Sequence, residues 1–123
     1  MRILFEHANY FKYTKDQEYT QNYDDCLIAR LCFEVGDDSK FDLIKNELES
    51  IYRKLKPKTL VLFPFSHLSN ELMAMKEAEK AFLGLAEALK EAGVEVIVLP
   101  FGTNKGYQLC IKEHKLNNMF RHF

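Results

Sequence analysis

Two side chains able to bind an anionic or carbonyl group follow strand-like runs that end in the same dipeptide. His67 lies just after residues 60–65, and Lys105 lies shortly after residues 96–101; both runs are apolar and close with Pro-Phe. Proline cannot donate a hydrogen bond to a β-ladder, so each dipeptide marks where pairing stops and side chains become free to face a ligand. Gly102 and Gly106 bound the lysine, and such a turn lets an ammonium group approach a ligand oxygen closely.

The segment between the two runs predicts how they are arranged. Residues 77–92 have helical periodicity, and a strand–helix–strand unit of this length connects parallel neighbours in one sheet. Ligands of such sheets bind beyond the carboxyl ends of the strands. We therefore expect His67 and Lys105 to border one cleft.

Each of these residues also has a purely structural interpretation. His67 can be a turn residue that bonds to local backbone, and Lys105 can be a solvated surface lysine. Ser69, which precedes Glu71 and Leu72, is more typical of a helix N-cap than of a nucleophile, and the chain has no Gly-x-Ser-x-Gly motif of a serine hydrolase. Local motifs alone leave the role of the cleft open.

The other histidines, the cysteines and the cations at residues 53–58 are better explained by structural roles. The chain has 4 histidines and 3 cysteines, but their spacing matches no known ligand pattern, so we expect no metal and no cofactor. Cys26 and Cys32 share strand parity, which places both in the core. Cations at residues 53–58 close a predicted helix and suit its dipole, with a phosphate contact as the alternative.

The elements that position the cleft predict an α/β fold with a small mixed β-sheet. Strands are expected at residues 1–13, 26–33, 59–65, 94–100 and 107–112. Two main helices are expected, one between Ser39 and Pro57 and one at residues 77–92, with a short C-terminal helix at residues 115–120. A chain of 123 residues is the length of a single domain, 1–123, which can bury one core without metal or disulfide support.

The composition of the chain argues against membrane, secreted and general nucleic-acid-binding proteins. Hydrophobic residues make up 47% of the chain and charged residues 28%, with no apolar run that could span a bilayer and no leader-like start, so we expect a cytoplasmic protein with no membrane partner. A formal charge of −1 argues against gripping long nucleic acid through the whole surface, although it allows contact with one terminus.

Four motifs, in order and with compatible spacing, carry a family resemblance. They read His-Ala-Asn-Tyr at 7–10, Phe-Pro-Phe-Ser-His-Leu-Ser-Asn-Glu-Leu at 63–72, Pro-Phe-Gly-Thr-Asn-Lys-Gly-Tyr at 100–107, and Cys-Ile-Lys-Glu-His-Lys-Leu at 110–116. From Met1 to about Arg121 the chain resembles the archaeal N-terminal editing domain of threonyl-tRNA synthetase. That family reads roughly Tyr-Pro-Phe-Ala-His-Leu-Ser-Ser-Glu-Leu and Pro-Phe-Gly-x-Tyr-Lys-Ala-Phe at the two middle motifs. The resemblance implies a D-aminoacyl-tRNA deacylase-like fold, commonly dimeric.

The resemblance also implies an activity and a site. The activity is hydrolysis of serine wrongly esterified to tRNA(Thr), assisted by the 2′-hydroxyl of the terminal adenosine. Lys105 and His67 match the pocket lysine and histidine of the family and are the implied catalytic residues. The substrate-binding wall would come from Phe33, Pro64, Phe65, Ser66, Phe101, Gly102, Asn104 and Asn118. The implied partners are the 3′ end of tRNA(Thr) carrying serine, a threonyl-tRNA synthetase catalytic domain in cis or in trans, and a second copy of the chain.

Two departures from the family pattern keep another function open. Asn104 stands where the family has tyrosine, and Asn118 stands where it has a glutamate near the pocket. An amide cannot act as a carboxylate base or as the counter-charge of a substrate ammonium. The alternative to a deacylase is therefore a catalytically weak module that binds the aminoacylated tRNA end, and a generic small-molecule-binding α/β domain is a third hypothesis.

Overall fold

The structure is a computed structural model that describes residues 1–123 as a mixed β-sheet with two main helices, as expected from the sequence. The elements in chain order are β1 Arg2–Lys15, β2 Glu18–Tyr19, β3 Tyr23–Cys32, α1 Phe41–Leu55, β4 Thr59–Pro64, α2 Met75–Glu91, β5 Val96–Val98, β6 Tyr107–Ile111 and β7 Asn118–His122. Neither helix is long and apolar enough to cross a membrane.

The strands form a single seven-stranded sheet in the order β2-β1-β3-β4-β5, and β6 and β7 also pair with β1. β1 and β3 are antiparallel, whereas β4 lies between β3 and β5 and runs parallel to both. Leu60 lies opposite Val96 and Leu62 opposite Val98, so the two runs that end in Pro-Phe are parallel neighbours, as predicted. Their polar continuations therefore leave the sheet at the same edge.

β1 is long enough to pair with two different strands along its outer side. Its first part, Arg2 to Glu6, pairs with β7, and its second part, Ala8 to Tyr13, pairs with β6. The register shifts between Ala8 and Tyr10, which lets one strand bend between its two partners. This arrangement brings β6, and the loop before it, over the carboxyl end of β4.

Both helices pack on one face of the sheet because their apolar residues recur at helical spacing. α1 buries Ile44, Leu48 and Ile51, and α2 buries a longer row of Ala78, Phe82, Leu85, Ala86 and Leu89. With the facing strands they form a cluster of 18 buried residues. A second cluster of 8 buried residues lies on the other sheet face and joins Phe11 of β1 to Cys26, Val61 and Phe63.

The C-terminal helix expected at residues 115–120 is absent, and the chain forms β7 there instead. Exposure alternates residue by residue over Asn118–His122, the period of a strand. Phe120 lies opposite Leu4, and the Phe123 amide donates to the Met1 carbonyl at 2.9 Å. The free edge of β1 thus supplies a full set of backbone partners, which outweighs the local preference for a short helix.

Candidate functional site

A cavity of about 560 Å³ opens at the carboxyl ends of the parallel strands. The loops after β4 and β5 line it, together with the end of β3 and the start of α2. Its lining residues are Leu31, Phe33, Phe63, Pro64, Phe65, Ser66, His67, Leu72, Met73, Met75, Ala78, Phe101, Gly102, Thr103, Asn104, Lys105 and Tyr107. The cavity therefore lies where the sequence placed a cleft, and its walls are mostly apolar with a few polar groups.

Lys105 brings a cation to this apolar cavity. Its Nζ donates to the Thr103 carbonyl at 3.0 Å and lies 5.2 Å from the centre of the Phe63 ring. Burial lowers the pKa of the Lys105 ammonium from its ordinary value, because partial removal from water disfavours the charged form. The Lys105 ammonium has no carboxylate partner among the ion pairs of the chain, so its charge remains available to a ligand.

The loop that carries Lys105 is tied to the end of β1. The Thr14 amide donates to the Gly106 carbonyl at 2.8 Å, and the Gly106 amide donates to Thr14 Oγ1 at 2.7 Å. These two bonds clamp the residue next to the lysine on both sides. Lys105 is thereby positioned by a strand of the sheet as well as by its own loop.

His67 lies in a single 3-10 turn, Ser66–Leu68, directly after β4. Its ring is exposed and packs edge-on against Phe65, with ring centres 5.0 Å apart. The same histidine borders a smaller polar hollow of about 350 Å³, formed with Arg2, Leu68, Ser69, Asn70 and Glu71. His67 thus stands between an apolar cavity and a polar hollow.

The part of the cavity wall formed by Phe33 is rigid because it belongs to the core. Phe33 is only 8% exposed and packs perpendicular to Phe82 of α2, with ring centres 6.3 Å apart. Its carbonyl accepts from the Met73 amide at 3.1 Å, and the Phe65 amide donates to the Leu31 carbonyl at 2.9 Å. Phe33 therefore contacts both the core and the cavity.

Buried Glu34 holds the segment between His67 and α2, a role the sequence did not reveal. Its carboxylate accepts from Ser69 Oγ at 2.5 Å and from the Met1 ammonium at 3.1 Å, and Arg2 Nε lies 3.3 Å away. Burial would raise the pKa of Glu34, but the Ser69 hydrogen bond and the Met1 and Arg2 charges outweigh it, and the net pKa is lowered. Asp37 also contacts the Met1 ammonium.

Ser69 is neither a nucleophile nor the cap of α2. Its Oγ accepts from the Glu71 amide at 3.0 Å and donates to Glu34, so it closes a local turn six residues before α2 begins at Met75. Because the Ser69 hydroxyl is committed to Glu34, Ser69 is not paired with a histidine as a nucleophile would be. No cluster of histidine, cysteine or acidic side chains able to hold a metal ion is present either.

Among the catalytic and substrate-binding residues that the family resemblance implies, all but Asn118 line the cavity. Asn118 is an exposed residue at the start of β7, opposite Glu6 of β1. Tyr107 is a lining residue that sequence reasoning missed, although it follows Lys105 by two positions and begins a strand. The cations near Lys56 lie at the end of α1, which leads to the amino end of β4, whereas the cavity lies at its carboxyl end.

Comparison with known proteins identifies relatives over the full chain. The family model of the archaea-specific editing domain of threonyl-tRNA synthetase matches residues 1–123. Threonine–tRNA ligase of Methanocaldococcus jannaschii is 29% identical over 134 aligned positions, and that of Pyrococcus furiosus is 28% identical over 137. Each alignment covers 98% of this chain and 22% of the ligase, so the chain spans about a fifth of the length of these relatives.

The fold also matches a solved structure. The c-Myc DNA Unwinding Element Binding Protein superposes with a TM-score of 0.80 and 12% sequence identity, covering 100% of this chain and 99% of that protein. A likeness at this identity establishes the fold alone, and the architecture agrees with the D-aminoacyl-tRNA deacylase-like fold expected from the sequence. With a family match from the first residue to the last and an apolar cavity that joins its histidine and lysine motifs, the chain belongs to the archaea-specific editing domain family of threonyl-tRNA synthetase.

Proposed function

We propose that this protein removes L-serine from Ser-tRNA(Thr) by hydrolysis and that residues 1–123 act as a single editing domain. The observation that carries the proposal is the cavity itself, which is lined by His67 and Lys105 from the loops that follow the neighbouring strands β4 and β5, in a chain of a known editing family. A volume of about 560 Å³ falls within the range of small-ligand sites, roughly 300–1,000 Å³. It is large enough for a seryl group together with part of the terminal adenosine.

A separate editing site that selects by size, here called the sieve, is needed because serine and threonine differ by only one methyl group. Serine lacks only the methyl of threonine, and a binding pocket discriminates one such group by roughly 10–200-fold. A second site that admits serine and excludes threonine multiplies that selectivity. Phe33 suits this wall because its ring is held by Phe82 and cannot easily retreat from an extra methyl.

The proposed mechanism uses water, the substrate and Lys105. Water attacks the ester carbonyl carbon, the bond from that carbon to the 3′-oxygen breaks, and the oxygen takes up a proton to leave free serine and tRNA. The vicinal 2′-hydroxyl of the adenosine positions the water, and the Lys105 ammonium stabilises the negative charge that develops on the carbonyl oxygen. An aminoacyl ester is already reactive, so positioning and electrostatics can supply the catalysis.

His67 is proposed to orient the adenosine end. It borders both the cavity that contains Lys105, where the acyl group would lie, and the polar hollow with Ser69 and Asn70, which suits ribose and phosphate oxygens. Its exposed ring offers an edge to a nucleobase or a hydrogen bond to a ribose hydroxyl. The partner implied is the 3′ end of tRNA(Thr), with a ligase catalytic domain in cis or in trans.

The exposed face of β7 offers a place for the proposed homodimer. Phe120 is 51% exposed and lies opposite Leu4, which gives the sheet an apolar patch at its margin. The proposed site of action is the cytoplasm, where tRNA is charged. Sedimentation at several concentrations of the wild type and of Phe120→Ser tests the dimer, because a monomer at every concentration contradicts it.

The second candidate function is a module that binds the charged tRNA end with little turnover. Asn104 favours it, because this amide lines the cavity at the position where the family has a tyrosine. Deacylation of Ser-tRNA(Thr) beside Thr-tRNA(Thr) distinguishes the two functions. Selective loss of serine supports the deacylase, tight binding without turnover supports the module, and no interaction with either tRNA contradicts both.

A further inference from the structure

A buried arginine lies behind the cavity and does not line it. Arg30 of β3 is 8% exposed, and its Cζ atom lies 5.4 Å from the ring centre of Phe63, 5.0 Å from that of Phe65 and 4.9 Å from that of Tyr107. All three rings are part of the cavity wall. One guanidinium group therefore contacts three of the aromatic rings that line the cavity.

Both ends of the guanidinium are held by hydrogen bonds. Arg30 Nε donates to Glu6 Oε1 at 2.5 Å, and Arg30 Nη1 donates to the Tyr107 hydroxyl at 2.8 Å. Burial opposes the charge of Arg30, but the bonds to Glu6 and Tyr107 outweigh it and raise the Arg30 pKa. A planar, doubly anchored cation of this kind has a fixed orientation, which lysine could not reproduce.

The three rings transmit that orientation to the site residues. Phe63 is perpendicular to both Tyr107 and Phe65, with ring centres 5.2 Å and 5.8 Å apart. Phe63 in turn carries the Lys105 ammonium 5.2 Å from its centre, and Phe65 packs edge-on against His67. A change in the tilt of Phe63 or Phe65 would therefore alter the surfaces that the Lys105 ammonium and the His67 ring contact.

From this geometry, and resting on the proposed function, we infer that Arg30, anchored by Glu6, is a positioning residue for the editing reaction. It fixes the three-ring wall of Phe63, Phe65 and Tyr107, and through that wall the places of Lys105 and His67. Tyr107 is part of this arrangement because its hydroxyl accepts the hydrogen bond that joins the aromatic wall to Arg30. The family motif has phenylalanine at this position, so the bond is not a general feature of the motif.

The main test is the double variant Glu6→Gln/Arg30→Met, which removes both charges together and leaves no unpaired ion in the core. We expect kcat for Ser-tRNA(Thr) to fall by about 10–100-fold, since small misplacements of catalytic groups have effects of this order. KM should change much less, because most tRNA contacts remain. Tyr107→Phe breaks only the bond to Arg30, and we expect a smaller loss of about threefold to tenfold.

Arg53→Met is a control at an exposed arginine with similar contacts. Arg53 also lies over a tyrosine ring, 5.8 Å from the centre of Tyr52, and also bonds to a glutamate and a carbonyl, Glu49 and Ala92, but it belongs to α1 and is remote from the cavity. We expect its kinetics to match the wild type. A loss equal to that of the double variant would mean that general destabilisation explains both, and would overturn the inference.

A measurement without substrate separates this inference from the proposed function. Aromatic NMR of the free protein should show altered shifts and faster ring flips for Phe63 and Phe65 in the double variant and in Tyr107→Phe, but not in Arg53→Met. Wild-type ring signals in a folded double variant would overturn the inference even if the protein is a deacylase. If the double variant does not fold, Tyr107→Phe and Arg30→Lys decide: both must change the ring signals, and wild-type signals in either one would overturn the inference.

Discussion

The charge of Lys105 is the most direct point at which to test the proposed chemistry. Lys105→Met keeps the length and apolar stem of the side chain and removes only the ammonium. In the fold the ammonium makes one hydrogen bond, to the Thr103 carbonyl, and one ring contact, to Phe63. Because the side chain is only partly buried, we expect the free energy of unfolding to change by no more than about 1 kcal/mol. The melting temperature should then fall by about 3–5 °C at most.

The expected kinetic effect is much larger. Removing one preformed donor to an oxyanion costs about 10²–10³ in kcat, which corresponds to roughly 2.7–4 kcal/mol. Loss of a charged hydrogen bond to the ground state weakens binding by about 1.5–3 kcal/mol. The pH profile adds a second signature: burial lowers the Lys105 pKa, so wild-type activity should decline on the alkaline side as the ammonium loses its proton, and Lys105→Met should lack that decline.

The assay is single-turnover release of serine from Ser-tRNA(Thr), corrected for uncatalysed hydrolysis, with melting temperature measured on the same samples. Lys105→Arg is the conservative control and should recover part of the rate, since it restores the charge with a different shape. A folded Lys105→Met protein with wild-type kcat and the wild-type alkaline profile would refute the role given to the ammonium.

Four further predictions test the rest of the site. His67→Ala should lower kcat/KM for the charged tRNA with little change in melting temperature, because the ring is exposed; a large drop in stability at constant activity would indicate a structural role. Phe33→Leu should relax discrimination and expose Thr-tRNA(Thr) to hydrolysis, and a folded variant that spares threonine as strictly as the wild type would remove Phe33 from the sieve. Serine esterified to a 2′-deoxy adenosine end should bind within ~0.5–1.5 kcal/mol of the ribose substrate but react ~10²–10⁴-fold more slowly, whereas comparable turnover would require a protein base. Burial lowers the pKa of His7 below 6.5, so the unfolded chain binds more protons; stability should fall as pH drops through 6.5 towards the folded pKa, and His7→Gln should flatten this slope in a denaturant titration.

The cavity could be located from sequence because its determinants are local. Each Pro-Phe dipeptide ends a strand by removing a donor, and the helix between them requires parallel strands, so the neighbourhood of His67 and Lys105 follows from short segments. The same reasoning places Phe101 there, as part of the second Pro-Phe dipeptide, whereas Phe33 follows from the family resemblance alone; both line the cavity.

What sequence could not supply is long-range pairing. β7 forms because the outer edge of β1 accepts it, more than a hundred residues away in the chain, and nothing within residues 115–120 reports that edge. Glu34 and Arg30 are similar cases: their partners Ser69 and Tyr107 are 35 and 77 residues distant, and a lone charged residue in a strand gives no sign of a buried partner. Asn118 is predicted as a site residue from the family motif alone, but it lies at the start of β7 and is exposed to solvent.

The missing side chain of Gly106 has a consequence for transplanting this chemistry. A Cβ built at Gly106 would lie 3.2 Å from Thr14 Cγ2, so even the alanine of the family motif would require Thr14 to shift by a few tenths of an ångström. The loop and the end of β1 are therefore fitted to each other as a pair. A graft of the Thr103–Tyr107 loop onto another scaffold would transfer Lys105 without the strand that positions it. Such a graft would also need Thr14 and the adjoining part of β1.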